Sequence, residues 1–244
     1  MVETPKLVLE AFDSGLLVDY VIVPSDVHPD PEIAERCDSD SVRLFGLAPE
    51  AFSNLSDVRT PQPALAVVHA PSLVVDERFA ADAGMFLVLV DVADPGNVGT
   101  LIRTAEATGC LGVIVTAETA DVLAPKVVRA SAGSILRVPV GEVLLDEVTS
   151  IVARLGAVSL ATTMDGQPYD DVEIDLEKPV ALLLGSEAHG LSAEVLHAVD
   201  EVVSIPMHGC VESLNVATSG AVLAFDHARK LRERRTSPTN APDR

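Results

Sequence analysis

Short apolar runs alternate with amphipathic stretches along most of this chain, and the spacing of those runs separates two regions. From residue 85 onward the runs are short, bounded by turn residues and mostly unbroken by polar positions. They predict strands at residues 86–90, 112–115, 135–139, 157–162, 180–184 and 202–205. Helical spacing falls between them, near residues 98–108, 122–132, 144–155, 193–199 and 214–231. Alternation of this kind predicts an α/β fold with a mostly parallel sheet covered on both faces. Residues 1–70 read as a smaller α/β unit, with helices at 7–12, 31–36 and 49–55 and extended segments at 18–23, 42–44 and 64–68. The turn Thr60-Pro61-Gln62-Pro63 leads into the last of these. Residues 71–84 read as a linker, 85–232 as the larger domain, and 233–244 as a polar tail expected to be disordered.

A chain of 244 residues that is 48% hydrophobic can bury a sizeable core, which excludes a disordered protein. No stretch reaches the roughly 18–20 apolar residues of a membrane span, and Met1-Val2-Glu3-Thr4-Pro5-Lys6 lacks the order of a signal peptide. A cytoplasmic protein without membrane partners is expected. Cys37, Cys110 and Cys210 are too scattered for a disulfide framework or a zinc site, so no metal is expected. The net charge of −20 opposes any polyanion partner, because phosphate binding relies on Lys and Arg. Residues 1–70 carry 12 acids against 4 bases. Residues 95–140, with Arg103, Lys126, Arg129 and Arg137, and the run Arg229-Lys230-Leu231-Arg232-Glu233-Arg234-Arg235 are locally basic and soften that objection.

Ligands of open α/β sheets bind beyond the carboxyl ends of the strands, and three segments at such ends are unusual. The first is Asp94-Pro95-Gly96-Asn97-Val98-Gly99-Thr100-Leu101-Ile102-Arg103. Asn97 is a natural N-cap there. Gly99, costing about 1 kcal/mol relative to Ala inside a helix, implies close approach of another backbone or a ligand. Alone, this segment is equally well a capped helix with a solvated arginine. The second, Leu183-Leu184-Gly185-Ser186-Glu187-Ala188-His189-Gly190-Leu191, predicts a tight loop holding one carboxylate between two glycines, with His189 at the surface. The third, from Ile205-Pro206-Met207-His208-Gly209-Cys210 through Val211-Glu212-Ser213-Leu214-Asn215-Val216-Ala217, is an irregular loop opening a long helix. Ser213 is a candidate cap, but Glu212, Ser213 and Asn215 together have no evident core role. His208 and Cys210 are too isolated to suggest a metal.

Taken in order, the three segments resemble the motifs of the SpoU (TrmH) family of RNA 2′-O-ribose methyltransferases, within the SPOUT superfamily. Asn97, Gly99 and Arg103 match its first motif, and Gly185, Glu187 and Gly190 its second. Ile205-Pro206-Met207 with Ser213-Leu214-Asn215-Val216 matches its third. Arg129-Ala130-Ser131-Ala132-Gly133-Ser134 resembles a segment usual between the first two motifs. The likeness runs over residues 84–232. Residues 1–70 more weakly resemble the ribosomal-protein-like, RNA-binding N-terminal domain of many members, through Val2-Glu3-Thr4-Pro5-Lys6-Leu7 and Thr60-Pro61-Gln62-Pro63-Ala64-Leu65-Ala66-Val67. The chain begins where that domain's first strand would end, so that strand is expected to be short or absent. Its acidity is also unlike a phosphate-gripping domain.

The resemblance implies a SPOUT-type α/β knot, in which a C-terminal trefoil forms the cofactor pocket, against the general rule that chains do not knot. It implies a homodimer acting on RNA, ribosomal more than transfer RNA. By the same carry-over, S-adenosyl-L-methionine would bind through Leu184, Gly185, Ile205, Met207 and Leu214. The catalytic set would be Arg103, Asn97, Glu187, Ser213 and Asn215. Methyl transfer is an in-line displacement by the ribose oxygen, in which positioning contributes much of the acceleration. Guanidinium, with a pKa above 12, is a poor base, so Arg103 is expected to position the RNA and stabilise oxyanion character. A catalytically inactive SPOUT-fold protein that binds RNA or assists ribosome assembly is the alternative. A nicotinamide dehydrogenase lacks support, since no G-x-G-x-x-G follows the first strand of the larger domain.

Overall fold

A computed structural model describes the chain except Asp57, Arg59, Asp82, residues 210–212 and residues 237–244. The smaller unit comprises β1 (Val2–Glu3), α1 (Pro5–Asp13), β2 (Val18–Pro24), α2 (Pro31–Ser39), β3 (Arg43–Leu47), α3 (Pro49–Ser53) and β4 (Leu65–Val68). After a 3-10 turn at Glu77–Phe79 come β5 (Gly84–Leu89), α4 (Pro95–Thr108), β6 (Gly112–Thr116), α5 (Pro125–Ala130) and β7 (Val140–Val143). The chain ends with α6 (Val148–Arg154), β8 (Val158–Pro168), β9 (Pro179–Leu184), α7 (Ala193–Ala198), β10 (Glu201–Ser204) and α8 (Val216–Thr236). Prolines open α1 to α5, where the ring pre-sets the helical φ and the missing N–H would have been unpaired.

Four strands form one sheet in the order β1-β4-β2-β3, and six form a second in the order β10-β8-β9-β5-β6-β7. All pairings in the second sheet are parallel, as the apolar pattern predicted. Its central strands β5 and β9 are buried at every position, because helices cover both faces. Leu87 and Leu89 pack on the side of α4 and α8, and Phe86 and Val88 on the side of α6 and α7. The first cluster continues into Val8 of α1 and into Val21 and Ala66 of the smaller sheet. Residues expected to be a linker are anchored on the larger sheet. The Leu73 carbonyl accepts from Glu142 N–H (2.8 Å), and Phe79, 1% exposed, stacks on Phe86. The first strand, expected to be short or absent, is the two-residue β1, paired antiparallel with β4.

Several boundaries differ from the sequence pattern, each for a local reason. Residues 135–139 are not a strand. Gly133 at φ 89 starts a 3-10 turn over Ser134–Leu136, and the strand begins only at Val140, Pro139 having no N–H to give although its carbonyl accepts from Val113 N–H (2.9 Å). The helix predicted from 122 begins at Pro125, since Ala124 before it is held extended. β8 runs to Pro168 rather than 162, because a register shift lets Val203 and Ser204 of β10 pair with Gln167 and Pro168. α8 begins at Val216 and continues to Thr236, past the boundary predicted at 232; residues 237–244 of the expected tail lie outside the described residues. No helix among the described residues is long and apolar enough to cross a membrane.

Candidate functional site

β9 and β5 are neighbours in the larger sheet, and on either side of them the chain proceeds in opposite directions across the sheet. Their carboxyl ends therefore flank the crevice where such sheets bind ligands. A cleft of about 900 Å³ opens there, lined by Val90, Asp91, Asn97, Glu187, His189 and Asn215 among others.

α4 is capped by Asp94, whose carboxylate accepts from Asn97 N–H at 3.0 Å. The expectation that Asn97 is the cap is thus corrected. Proline at the first helical position places the cap at Asp94, and Asn97 falls inside the first turn with its side chain free. That freedom is used. Asn97 Nδ2 donates to Glu187 Oε1 (2.7 Å), and Asn97 Oδ1 accepts from Asn215 Nδ2 (3.0 Å). Asn215 is itself the cap of α8, its Oδ1 accepting from Ala217 N–H (2.9 Å) and Thr218 N–H (3.3 Å). Ser213, the expected cap, is exposed and lies ahead of the helix.

These bonds have a direction. The first-turn amides of α8 occupy the Asn215 carbonyl, so its NH2 faces Asn97. The Asn97 carbonyl is then occupied, so its NH2 faces Glu187. The chain ends on a carboxylate, the one group here that only accepts when ionised. Partial burial pushes the Glu187 pKa up, but donors from Asn97 and the amides of Glu187, Ala93 and Asp94 outweigh it and hold the carboxyl below its ordinary range. Ala93 N–H lies 3.3 Å from Oε2.

The loop that carries Glu187 is folded back on itself. Ser186 and Gly190 form a bridge, and Gly190 sits at φ 66. A Cβ on Gly185 would lie 2.4 Å from the Gly190 carbonyl carbon, so both glycines serve the loop's own closure. Gly99 answers to packing rather than to a ligand, for its Cβ would meet Ala130 Cβ at 2.5 Å and the Val127 carbonyl at 2.8 Å on α5.

Of the predicted site residues, Asn97, Glu187 and Asn215 converge. Arg103 lies further along α4, exposed and outside the cleft lining, without a hydrogen-bond or ion-pair partner among the described residues. Of the residues expected to hold a cofactor, Leu184 is fully buried and Gly185, Ile205 and Leu214 half-buried, while Met207 is 38% exposed. None of the five lines the cleft. Glu212 and Cys210 lie outside the described residues. His189 is exposed as expected and borders the cleft. Cys37 is buried and Cys110 half-buried, both free; burial pushes the Cys110 thiol up to about 11, so it is no nucleophile.

Most cations of the local basic patches are paired with acids. Lys126 pairs with Asp94 (3.7 Å), Arg129 with Glu3 (3.6 Å), and Arg137 with both Glu106 and Glu10. Arg229 and Lys230 pair with Asp226, and Arg234 with Glu177. Folding spends on acids most of the cations that the sequence offered to phosphates, and Arg103 and Arg232 have no side-chain partner among the described residues. Sequence reasoning also missed Asp94, although Asp before Pro is a strong helix-start signal. It missed residues 162–166 as well. There Thr162 Oγ1 donates to the Leu183 carbonyl (3.1 Å), and the Gly166 carbonyl accepts from Ser204 Oγ (2.8 Å), beside the ends of β9 and β10.

The model of the SpoU rRNA Methylase family matches residues 84–225, which is more than half of the chain. This protein belongs to that family. A relative from Bacillus subtilis, the 23S rRNA (guanosine(2553)-2′-O)-methyltransferase RlmP, is 32% identical over 92% of this chain and 86% of its own length. The 23S rRNA (uridine(2479)-2′-O)-methyltransferase of Streptomyces viridochromogenes is 34% identical over 80% of this chain and 70% of its own. Among solved structures, the SpoU methyltransferase AviRb from Streptomyces viridochromogenes in complex with AdoMet superposes with a TM-score of 0.86 at 28% identity. That likeness covers 97% of this chain and 90% of AviRb, so it includes the smaller sheet as well as the SpoU region.

Proposed function

We propose that this protein transfers a methyl group from S-adenosyl-L-methionine to a ribose 2′-hydroxyl of RNA, with ribosomal RNA as its substrate. The observation that carries this reading is the bonded series Asn215–Asn97–Glu187, assembled from the ends of three separate strands in a SpoU-family chain. The relatives named for 23S rRNA match most of the chain, including the smaller unit, which favours ribosomal over transfer RNA.

The donor set fits an adenosyl sulfonium. Half-buried Ile205 and Leu214, exposed Met207 and the main chain at Leu184 and Gly185 offer aliphatic walls and backbone donors, the mixture an adenine selects. Glu187, kept ionised, draws a cationic ligand to the loop. The bound donor supplies an electrophilic methyl group. The chain supplies position: Asn97, Glu187 and Asn215 form a hydrogen-bonded frame, and Ser213 lies two residues before Asn215 in the loop that leads to it. Arg103, exposed and without a partner among the described residues, is available to hold an RNA phosphate and stabilise negative charge on the 2′-oxygen.

Residues 1–70 serve as the RNA-binding unit, 71–84 as an anchored connection, and 85–232 as the methyltransferase domain, its C-terminal segment threaded as a trefoil knot. The protein works as a cytoplasmic homodimer. Exposed Val222 (45%) and Phe225 (51%) on α8, packed beside α4, support a subunit interface near Arg103. The test is transfer of labelled methyl groups to unmodified 23S rRNA by wild type and Arg103→Ala. Transfer by wild type, and its loss in the variant while S-adenosylmethionine still binds, is the expected result. Near-normal turnover of the variant overturns the role of Arg103, and a wild type inactive on every RNA overturns the function.

A further inference from the structure

Asp91, just past the end of β5, lies at φ 55, in the left-handed region. A non-glycine residue there costs about 1–2 kcal/mol, and the strain persists only where the surroundings over-determine it. Here they do. Asp91 N–H donates to Thr116 Oγ1 (2.9 Å), and the same hydroxyl donates to Asp91 Oδ1 (2.7 Å). Thr116 ends β6 and is 1% exposed, so no water competes for these bonds. Behind it Thr119 donates to the Leu89 carbonyl (3.1 Å), and Ala120 N–H donates to the Val92 carbonyl (3.0 Å). The end of β5 is thereby fastened at several points to the turn that follows β6.

The kink is aimed at the site. Two residues on, Ala93 N–H meets the Glu187 carboxylate, and Asp94 next caps the helix that presents Asn97 to the same carboxylate. We infer that Asp91 and Thr116 are positioning residues for methyl transfer: their paired hydrogen bonds set the left-handed turn that brings the Ala93 amide and Asn97 onto Glu187. This rests on the methyltransferase reading above. Asp suits the position because it tolerates the left-handed region and offers the acceptor that Thr116 needs.

Asp91→Asn, Asp91→Ala and Thr116→Val in the full chain test the inference. Asn keeps both the acceptor and the tolerated φ, so its kcat stays within about threefold of wild type. Ala loses the acceptor, and Val removes the hydroxyl at nearly constant shape. Each lowers kcat about 10- to 100-fold through misplacement, with S-adenosylmethionine affinity and far-UV circular dichroism unchanged. A readout independent of turnover is the Glu187 titration by carbon NMR: Thr116→Val raises its pKa, while wild type and Asp91→Asn keep it low. Wild-type turnover in both Asp91→Ala and Thr116→Val, with an unmoved Glu187 titration, overturns the inference. So does an Asp91→Asn variant as inactive as Asp91→Ala beside an active Thr116→Val, which makes the carboxylate itself the acting group. An inactive wild type sinks the functional reading alone, and the Glu187 titration then still decides whether Thr116 positions that carboxylate.

Discussion

Lowering the pH from 7.5 to 5 tests the energetics of the fold through one side chain, His227. It is 2% exposed on α8, and neither ring nitrogen has a hydrogen-bond partner among the described residues. Burial disfavours the imidazolium, Lys230 adds to that, and Asp226 and a contact with the Gly84 backbone only partly offset it, so the pKa falls from 6.5 to about 4. In the unfolded chain the ring takes up a proton as pH drops below about 6.5, whereas the folded ring stays neutral until about 4. The unfolded state therefore binds more protons in that window. Stability is complete above 6.5 and is lost progressively as pH falls towards 4. A shift of this size is worth about 3 kcal/mol in full, of which about 2 kcal/mol is already lost at pH 5. His227→Leu cannot titrate and leaves no orphaned nitrogen. Urea unfolding at the two pH values is expected to show wild type losing about 2 kcal/mol more than the variant. Parallel losses in the two proteins would refute the reasoning.

Asn97→Ala removes the side-chain donor of Glu187 and breaks the link to Asn215; turnover is expected to fall about 10- to 100-fold in a labelled-methyl assay, with the fold retained. Gly99→Ala puts a methyl 2.5 Å from Ala130 Cβ, so the melting temperature drops by the equivalent of about 1–3 kcal/mol despite the better helix propensity of Ala. Arg137→Ala leaves Glu106 and Glu10 facing each other across the two units, at a cost of about 1 kcal/mol near pH 7 by chemical unfolding. Because the Arg137 hydrogen bonds hold the Glu106 carboxyl below its ordinary range, that contribution is present above the ordinary pKa of 4.5. It fades as pH falls through the lower folded value, so the variant and wild type converge in acid.

The parallel sheet, its six strands with one misplaced, and the three loops at strand ends were legible in the sequence, because apolar period and proline or glycine punctuation are local signals. Asn97, Glu187 and Asn215 could be singled out as polar residues without a core role. Which of them touch, and in which direction the hydrogen bonds run, could not. Their partners lie 90 and 118 residues apart in the chain, and only the adjacency of β9 and β5 and the placement of α8 bring them together. Caps were misassigned at Asn97 and Ser213 for a related reason: several residues near a helix start can accept an amide, and tertiary contacts decide which one is left to do it. Charge shows the gap most clearly. Composition counts cations and can locate clusters such as Arg129 and Arg137, but it cannot see that Glu3 and Glu10 fold onto them. The sequence by itself determined the element types and the chemistry on offer, since these depend on near neighbours. Tertiary structure alone decided which groups are spent on each other and which, like Arg103, have no partner among the described residues, because pairing depends on distance in space.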